Sequence, residues 1–284
     1  MNNEKKIQNN TNPVPLQRLG VSSPLGAGGN RINQLFERKK ENILSVYFTA
    51  GFPELEDTVP TLHCLQANGV DLVEVGVPFS DPMADGIVIQ NSSQQALKNG
   101  MSIRKLFVQL TDVRSSIHIP LVMMGYLNPI MQFGFEAFCA ECSRVGVDGM
   151  IIPDLPMSDF LAEYKEIAEE YQLEFIFLIT PETSEARIRE IDSHTNGFIY
   201  MVSSAAVTGT QSSFDNKVEY FNRINALNLK NPRLIGFGIS NKSTRNMVNR
   251  YSSGAIIGSA FIKALQETND VEKGVELLLK RLEE

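Results

Sequence analysis

The chain has 284 residues, 43% of them hydrophobic and 21% charged, with a formal net charge of −7 and an isoelectric point near 5.2. No apolar run approaches the ~20 residues that cross a bilayer, and an acidic chain without a Lys/Arg cluster offers no surface for duplex phosphates, so neither a membrane nor a nucleic acid is expected as partner. The length leaves open one large domain or two ordinary ones, and an odd set of cysteines, Cys64, Cys139 and Cys142, fits a reducing compartment, read as cytoplasm.

Residues 1–29 are rich in Asn, Pro and Gly, lack the apolar core of a signal peptide and are expected to form a disordered arm before a domain covering 30–284. An opening helix follows in RINQLFERKKE, with Ile32, Leu35 and Phe36 on one face. Strands are then expected at 45–51, 71–78, 120–126, 148–154, 174–180, 197–203, 233–238 and 254–259, alternating with amphipathic helical windows. Eight such units over ~250 residues are what a single (β/α)8 TIM barrel with an extra N-terminal helix requires. A doubly wound open sheet is the competitor. It is disfavoured because GAGGN (26–30) precedes the first strand instead of following one, and because no polar linker divides the chain after Gly29.

Two connections look long: residues 79–92 after the second strand, and SSAAVTGTQSSFDN (203–216) after the sixth, whose small polar residues suit a mobile lid. The first carries the chemistry. In DLVEVGVP, alternation puts Leu72, Glu74 and Gly76 on one face and Val73, Val75 and Val77 on the other. The valines suit packing against helices, which turns Glu74 into the lumen, where a carboxylate is expensive unless it is paired or used. Asp81 and Asp85 lie in a Pro/Gly-punctuated loop where Asp commonly shapes a turn; Asp85 can also lean over the mouth that holds Glu74.

The last two strands end in GFGIS (236–240) and IIGSA (256–260), each before a helix start. Either glycine pair alone permits a tight turn; together, at this end of a barrel, they point to a phosphate site. Cys139 and Cys142 fall on a helix with no second ligand pair, and His63, His118 and His194 lie away from strand ends, so no metal site is expected. Tyr200 either points into the lumen or packs in the core with a bonded hydroxyl.

Together EVGVPFSDPMADG, VTG (207–209), GFGIS and IIGSA resemble the tryptophan synthase α subunit family from about Arg31 to the C terminus. The resemblance implies retro-aldol cleavage of indole-3-glycerol phosphate to indole and glyceraldehyde 3-phosphate, with Glu74 as general acid/base and Asp85 as partner of the indole N–H. It implies Tyr200 as the active-site tyrosine, Tyr47 and Phe237 as walls of the indole pocket, a cradle of Gly209, Gly236, Gly238, Gly258 and Ser259 for the phosphate, and Thr208 closing onto Asp85. The chain departs from the commoner pattern, an Arg and a Gly before VTG, in having Ser203-Ser204-Ala205-Ala206. By the same resemblance this subunit needs no metal or cofactor. Its partner is a pyridoxal-phosphate-dependent β subunit in an α2β2 heterotetramer, docking on Pro78 to Asp85 and the loop 125–134. The rival readings are a stand-alone lyase releasing free indole, a non-catalytic phosphate-binding barrel, and a different phosphate-barrel isomerase.

Overall fold

The computed structural model describes residues 30–203, 214–236 and 238–284, with the side chains of 214–216 excepted. The expected arm (1–29), the lid residues with Thr208 and Gly209, and Phe237 lie outside the described residues. The strands are β1 (Ile43–Thr49), β2 (Leu72–Gly76), β3 (Leu121–Met124), β4 (Gly149–Ile151), β5 (Glu174–Phe175), β6 (Leu178–Ile179), β7 (Ile199–Val202), β8 (Arg233–Gly236) and β9 (Gly254–Ile257). They form one sheet in the order β5-β4-β3-β2-β1-β9-β8-β7-β6, all pairings parallel. The fifth expected strand is thus split: β5 pairs with β4 and β6 with β7, and the residues between them bridge the gap through Ile176 N–H to Met150 O (2.9 Å) and Tyr200 N–H to Phe177 O (3.0 Å). One run of chain closes the ring, so nine segments make an eight-staved barrel.

Strand alternation divides the core in two. Leu44, Val46, Phe48, Val73, Val75, Val77, Ile199, Met201, Ile235, Ala255 and Ile257 pack outward in the large cluster with the helices. Ile43, Leu72, Val122, Ile151, Ile176, Phe198, Tyr200, Leu234 and Ile256 fill the lumen. The opening helix (Arg31–Arg38) adds Ile32, Leu35 and Phe36 to that inner cluster and plugs the N-terminal end of the barrel.

Polar contacts hold this plug in place. Asn30 caps the helix by accepting from Ile32 N–H at 2.9 Å and donates its amide to Asp148 O at 2.7 Å. The Asp148 carboxylate, fully buried, accepts from Arg31 (3.0 Å), from Arg114 (2.6 Å) and from Leu121 N–H (2.9 Å). Burial pulls the Arg114 guanidinium down to about 10, opposed by that same carboxylate.

Two expected loops are shorter than the sequence suggested. After β2, a helix spans Ile87–Lys98, so the loop ends at Gly86 and not near residue 92. Its polar residues looked like loop, yet Ser92 is fully buried, bonding Ile89 O (2.8 Å) and the Thr49 hydroxyl of β1 (2.7 Å). After β3, Leu127–Phe133 is helical where a loop over 125–134 was expected; Pro129 falls in its first turn, where no intrahelical N–H is needed.

Candidate active site

β2 carries Glu74 into the lumen beside Tyr47, its register partner on β1. The carboxyl is fully buried; Oε1 accepts from the Ser45 hydroxyl at 2.8 Å and Oε2 has no hydrogen-bond partner among the described residues. Burial pushes its pKa up to about 7, and the Ser45 bond pulls back against that rise. At neutral pH the group therefore exists in both protonation states, which a general acid/base needs.

Asp85 hangs over the same mouth from the loop beyond β2. Its Oδ2 accepts from the Tyr126 hydroxyl at 3.0 Å, and the Tyr126 oxygen in turn accepts from Ala84 N–H at 3.0 Å. Gln90 holds the Asp85 carbonyl at 2.8 Å, and Phe79 lies against the Tyr126 ring with centroids 5.3 Å apart. Burial raises the Asp85 carboxyl to about 6, opposed by the Tyr126 bond, so it is mostly ionised at neutral pH. Burial also holds the Tyr47, Tyr126 and Tyr200 hydroxyls in their neutral forms, and nearby carboxylates reinforce this.

Tyr47 and Tyr200 each owe their pose to a glycine on the next strand. A Cβ at Gly76 would overlap the Tyr47 hydroxyl, and one at Gly236 would overlap that of Tyr200. Both rings thus lie across the barrel mouth, where they line a cavity of about 660 Å³ together with Asp85, Met124 and Ile256. At its other end the cavity reaches Gly238, Ser240, Gly258, Ser259 and Ala260. Gly258 caps the helix Ser259–Thr268, whose first N–H groups are the ones no intrahelical carbonyl can reach, and Gly238 adopts a left-handed φ of 77°. Lys263 lines this end, and the Nζ of Lys217 comes within 3.9 Å of where a Gly238 side chain would begin.

The structure brings Tyr47, Asp85, Tyr200, Gly238, Gly258 and Ser259 to one cavity and sets Glu74, fully buried and not in its wall, beside Tyr47 on the neighbouring strand. Gly236 serves the Tyr200 pose and is not part of the cavity wall; Asp81 is exposed and takes a bond from the neighbouring Ser80 hydroxyl. Ser45 and Tyr126, which sequence reasoning did not single out, are the hydrogen-bond donors to the two carboxyls. Cys139 and Cys142 are buried on the helix Phe135–Val145, and among the described residues no His/Cys/Asp/Glu group could hold a metal. A lumen carboxyl near neutrality, a second carboxylate above it, and an anion-seeking helix start across one cavity suit an aromatic phosphate ester cleaved by proton transfer.

The family model described as tryptophan synthase alpha chain matches residues 33–283. The chain belongs to that family. A tryptophan synthase alpha chain of Parabacteroides distasonis is 60% identical over 256 residues, covering 90% of this chain and all of the relative. Another, from Flavobacterium johnsoniae, is 60% identical over 240 residues, 84% of this chain and 94% of its own. Among solved structures, tryptophan synthase subunit alpha from Legionella pneumophila superposes with a TM-score of 0.81 at 31% identity, over 89% of this chain and 97% of that one. As a member of the family the chain is a carbon–carbon lyase of tryptophan biosynthesis, built on the TIM barrel that the family's solved structures share.

Proposed function

We propose that the lyase reaction of this family, cleavage of indole-3-glycerol phosphate, is carried out here by Glu74 and Asp85, with the phosphate at the Gly238/Gly258–Ser259 end of the cavity. The observation that carries the reading is a fully buried carboxyl held near pH 7 beside Tyr47, whose ring lines the same cavity as a second, mostly ionised carboxylate. Glu74 in its neutral form delivers a proton to carbon 3 of the indole; as carboxylate it takes the proton from the glycerol hydroxyl while the carbon–carbon bond breaks and the aldehyde forms. The proton given equals the proton taken, so indole and glyceraldehyde 3-phosphate leave with the enzyme unchanged. Asp85 accepts from the ring N–H and stabilises the positive charge that grows there when carbon 3 is protonated. Proton transfer of this kind calls for no cofactor on this chain.

Indole then passes to a pyridoxal-phosphate-dependent β subunit in an α2β2 assembly working in the cytoplasm. Met83 and Ile87, 84% and 66% exposed, flank Asp85 and give that partner an apolar rim to cover. Relatives named as alpha chains favour the subunit over a stand-alone lyase. The test is indole release from indole-3-glycerol phosphate, with and without β subunit. Glu74→Gln is expected to lose on the order of 10²–10⁴ in kcat. Asp85→Asn, which swaps an acceptor for an amide, is expected to lose roughly 10- to 100-fold. Wild-type turnover in Glu74→Gln overturns the mechanism, and equal turnover with and without β subunit favours the stand-alone enzyme.

A further inference from the structure

The inference concerns Ser45 and rests on the reading of Glu74 as the acid/base. β1 runs ILSVYFT, and its lumen face is Ile43, Ser45 and Tyr47. Ser45 is fully buried in a layer where its register partners are Leu72 on β2 and Ile256 on β9. A hydroxyl among such neighbours is costly unless bonded, and Ser45 spends its proton on Glu74 Oε1 at 2.8 Å. The other carboxyl oxygen, Oε2, is buried and without a partner among the described residues. The two oxygens are therefore not equivalent: Oε1 is committed as an acceptor, so the acid proton resides on Oε2.

We propose that Ser45 is a positioning residue for the cleavage reaction: its hydroxyl anchors Oε1 and so fixes Oε2 as the oxygen that gives and takes the substrate proton. Two other titratable groups face this carboxyl, Tyr47 from β1 and Tyr200 from β7, and both also feel Asp85 from the loop after β2. Neither tyrosine is charged in the working range, so burial is what opposes ionisation of Glu74. The Ser45 bond acts the other way by favouring the carboxylate, and its loss moves the titration of Glu74 upward.

The experiment compares full-length wild type, Ser45→Ala, Ser45→Thr and Glu74→Gln in indole release across pH, alone and with excess β subunit. Ser45→Ala is expected to lower kcat roughly 10- to 100-fold with KM changed less than about twofold. Its pH profile is expected to show the group near 7 moved up by about one unit. Ser45→Thr, which keeps the hydroxyl, is expected to recover most of the loss. If Ser45→Ala retains wild-type kcat and pH profile while Glu74→Gln is inactive, the inference on Ser45 fails and the role of Glu74 stands. Full activity in Glu74→Gln overturns both. A fall in kcat with an unmoved pH profile marks a merely structural serine and overturns the proposal. Should Ser45→Thr not fold, infrared titration of the Glu74 carboxyl in Ser45→Ala against wild type decides: an unshifted band rejects the anchor.

Discussion

Burial gives Glu74 its chemistry and charges the fold for it at the same time. The unfolded chain ionises this carboxyl at its ordinary value of 4.5 and the folded chain at about 7. Between those pH values the folded state holds the extra proton, so stability falls as pH rises through that window and is level on either side. The span corresponds to roughly 3 kcal/mol at most. Glu74→Gln, neutral at every pH, is therefore expected to exceed wild type in stability by about 1–3 kcal/mol at pH 8, with the gap closing toward pH 4, as read by urea denaturation. A gap independent of pH would place the titration elsewhere. Glu74 was legible in the sequence because a charge in the middle of an apolar alternating strand has few explanations. Ser45 and Tyr126 were not: a serine in a strand or a tyrosine past its end is unremarkable until the neighbouring strand supplies the carboxylate it serves.

At the scale of elements, two arrangements can be tested without touching the chemistry. The opening helix is tied down by a buried carboxylate shared between Arg31 and Arg114. Removing Asp148 leaves Arg114, 11% exposed, without its partner, so Asp148→Ala is expected to cost about 3–5 kcal/mol. The urea midpoint should drop with an unchanged slope. Gly236→Ala tests the other arrangement: its methyl would overlap the Tyr200 hydroxyl, so the ring must leave its place above the lumen. A rise in KM for indole-3-glycerol phosphate is expected with secondary structure retained by circular dichroism; an unchanged KM would show that the Tyr200 pose is dispensable. Periodicity predicted nearly every strand within a few residues of its observed ends. It misread the segments Ile87–Lys98 and Leu127–Phe133, where buried serines and an N-terminal proline mimic loop composition.

At the scale of the whole chain, Met83 and Ile87, close in sequence to the cavity-lining Asp85 and Gly86, are large apolar side chains with no cover among the described residues. If the β subunit docks there as proposed, Met83→Asp puts a charge where the partner would exclude water, and β-subunit affinity measured by calorimetry is expected to fall at least about tenfold. Indole release by the isolated chain should be unaffected by that change. Equal affinity would move the docking surface elsewhere on the barrel. No helix among the described residues is long and apolar enough to cross a membrane.

The sequence by itself determined the eight-unit barrel, the facing of the second strand with Glu74 turned into the lumen, and the glycines that end the last two strands. All of these follow from period, from composition, or from a charge where periodicity demands an apolar residue. Only the tertiary structure decided how the ring closes through a broken fifth strand, which oxygen of Glu74 is held by Ser45, and that Tyr126 grips Asp85. Those features depend on register between strands distant in sequence and on the depth of burial that moves both carboxyls toward neutrality. Neither quantity is written in any local stretch of the chain.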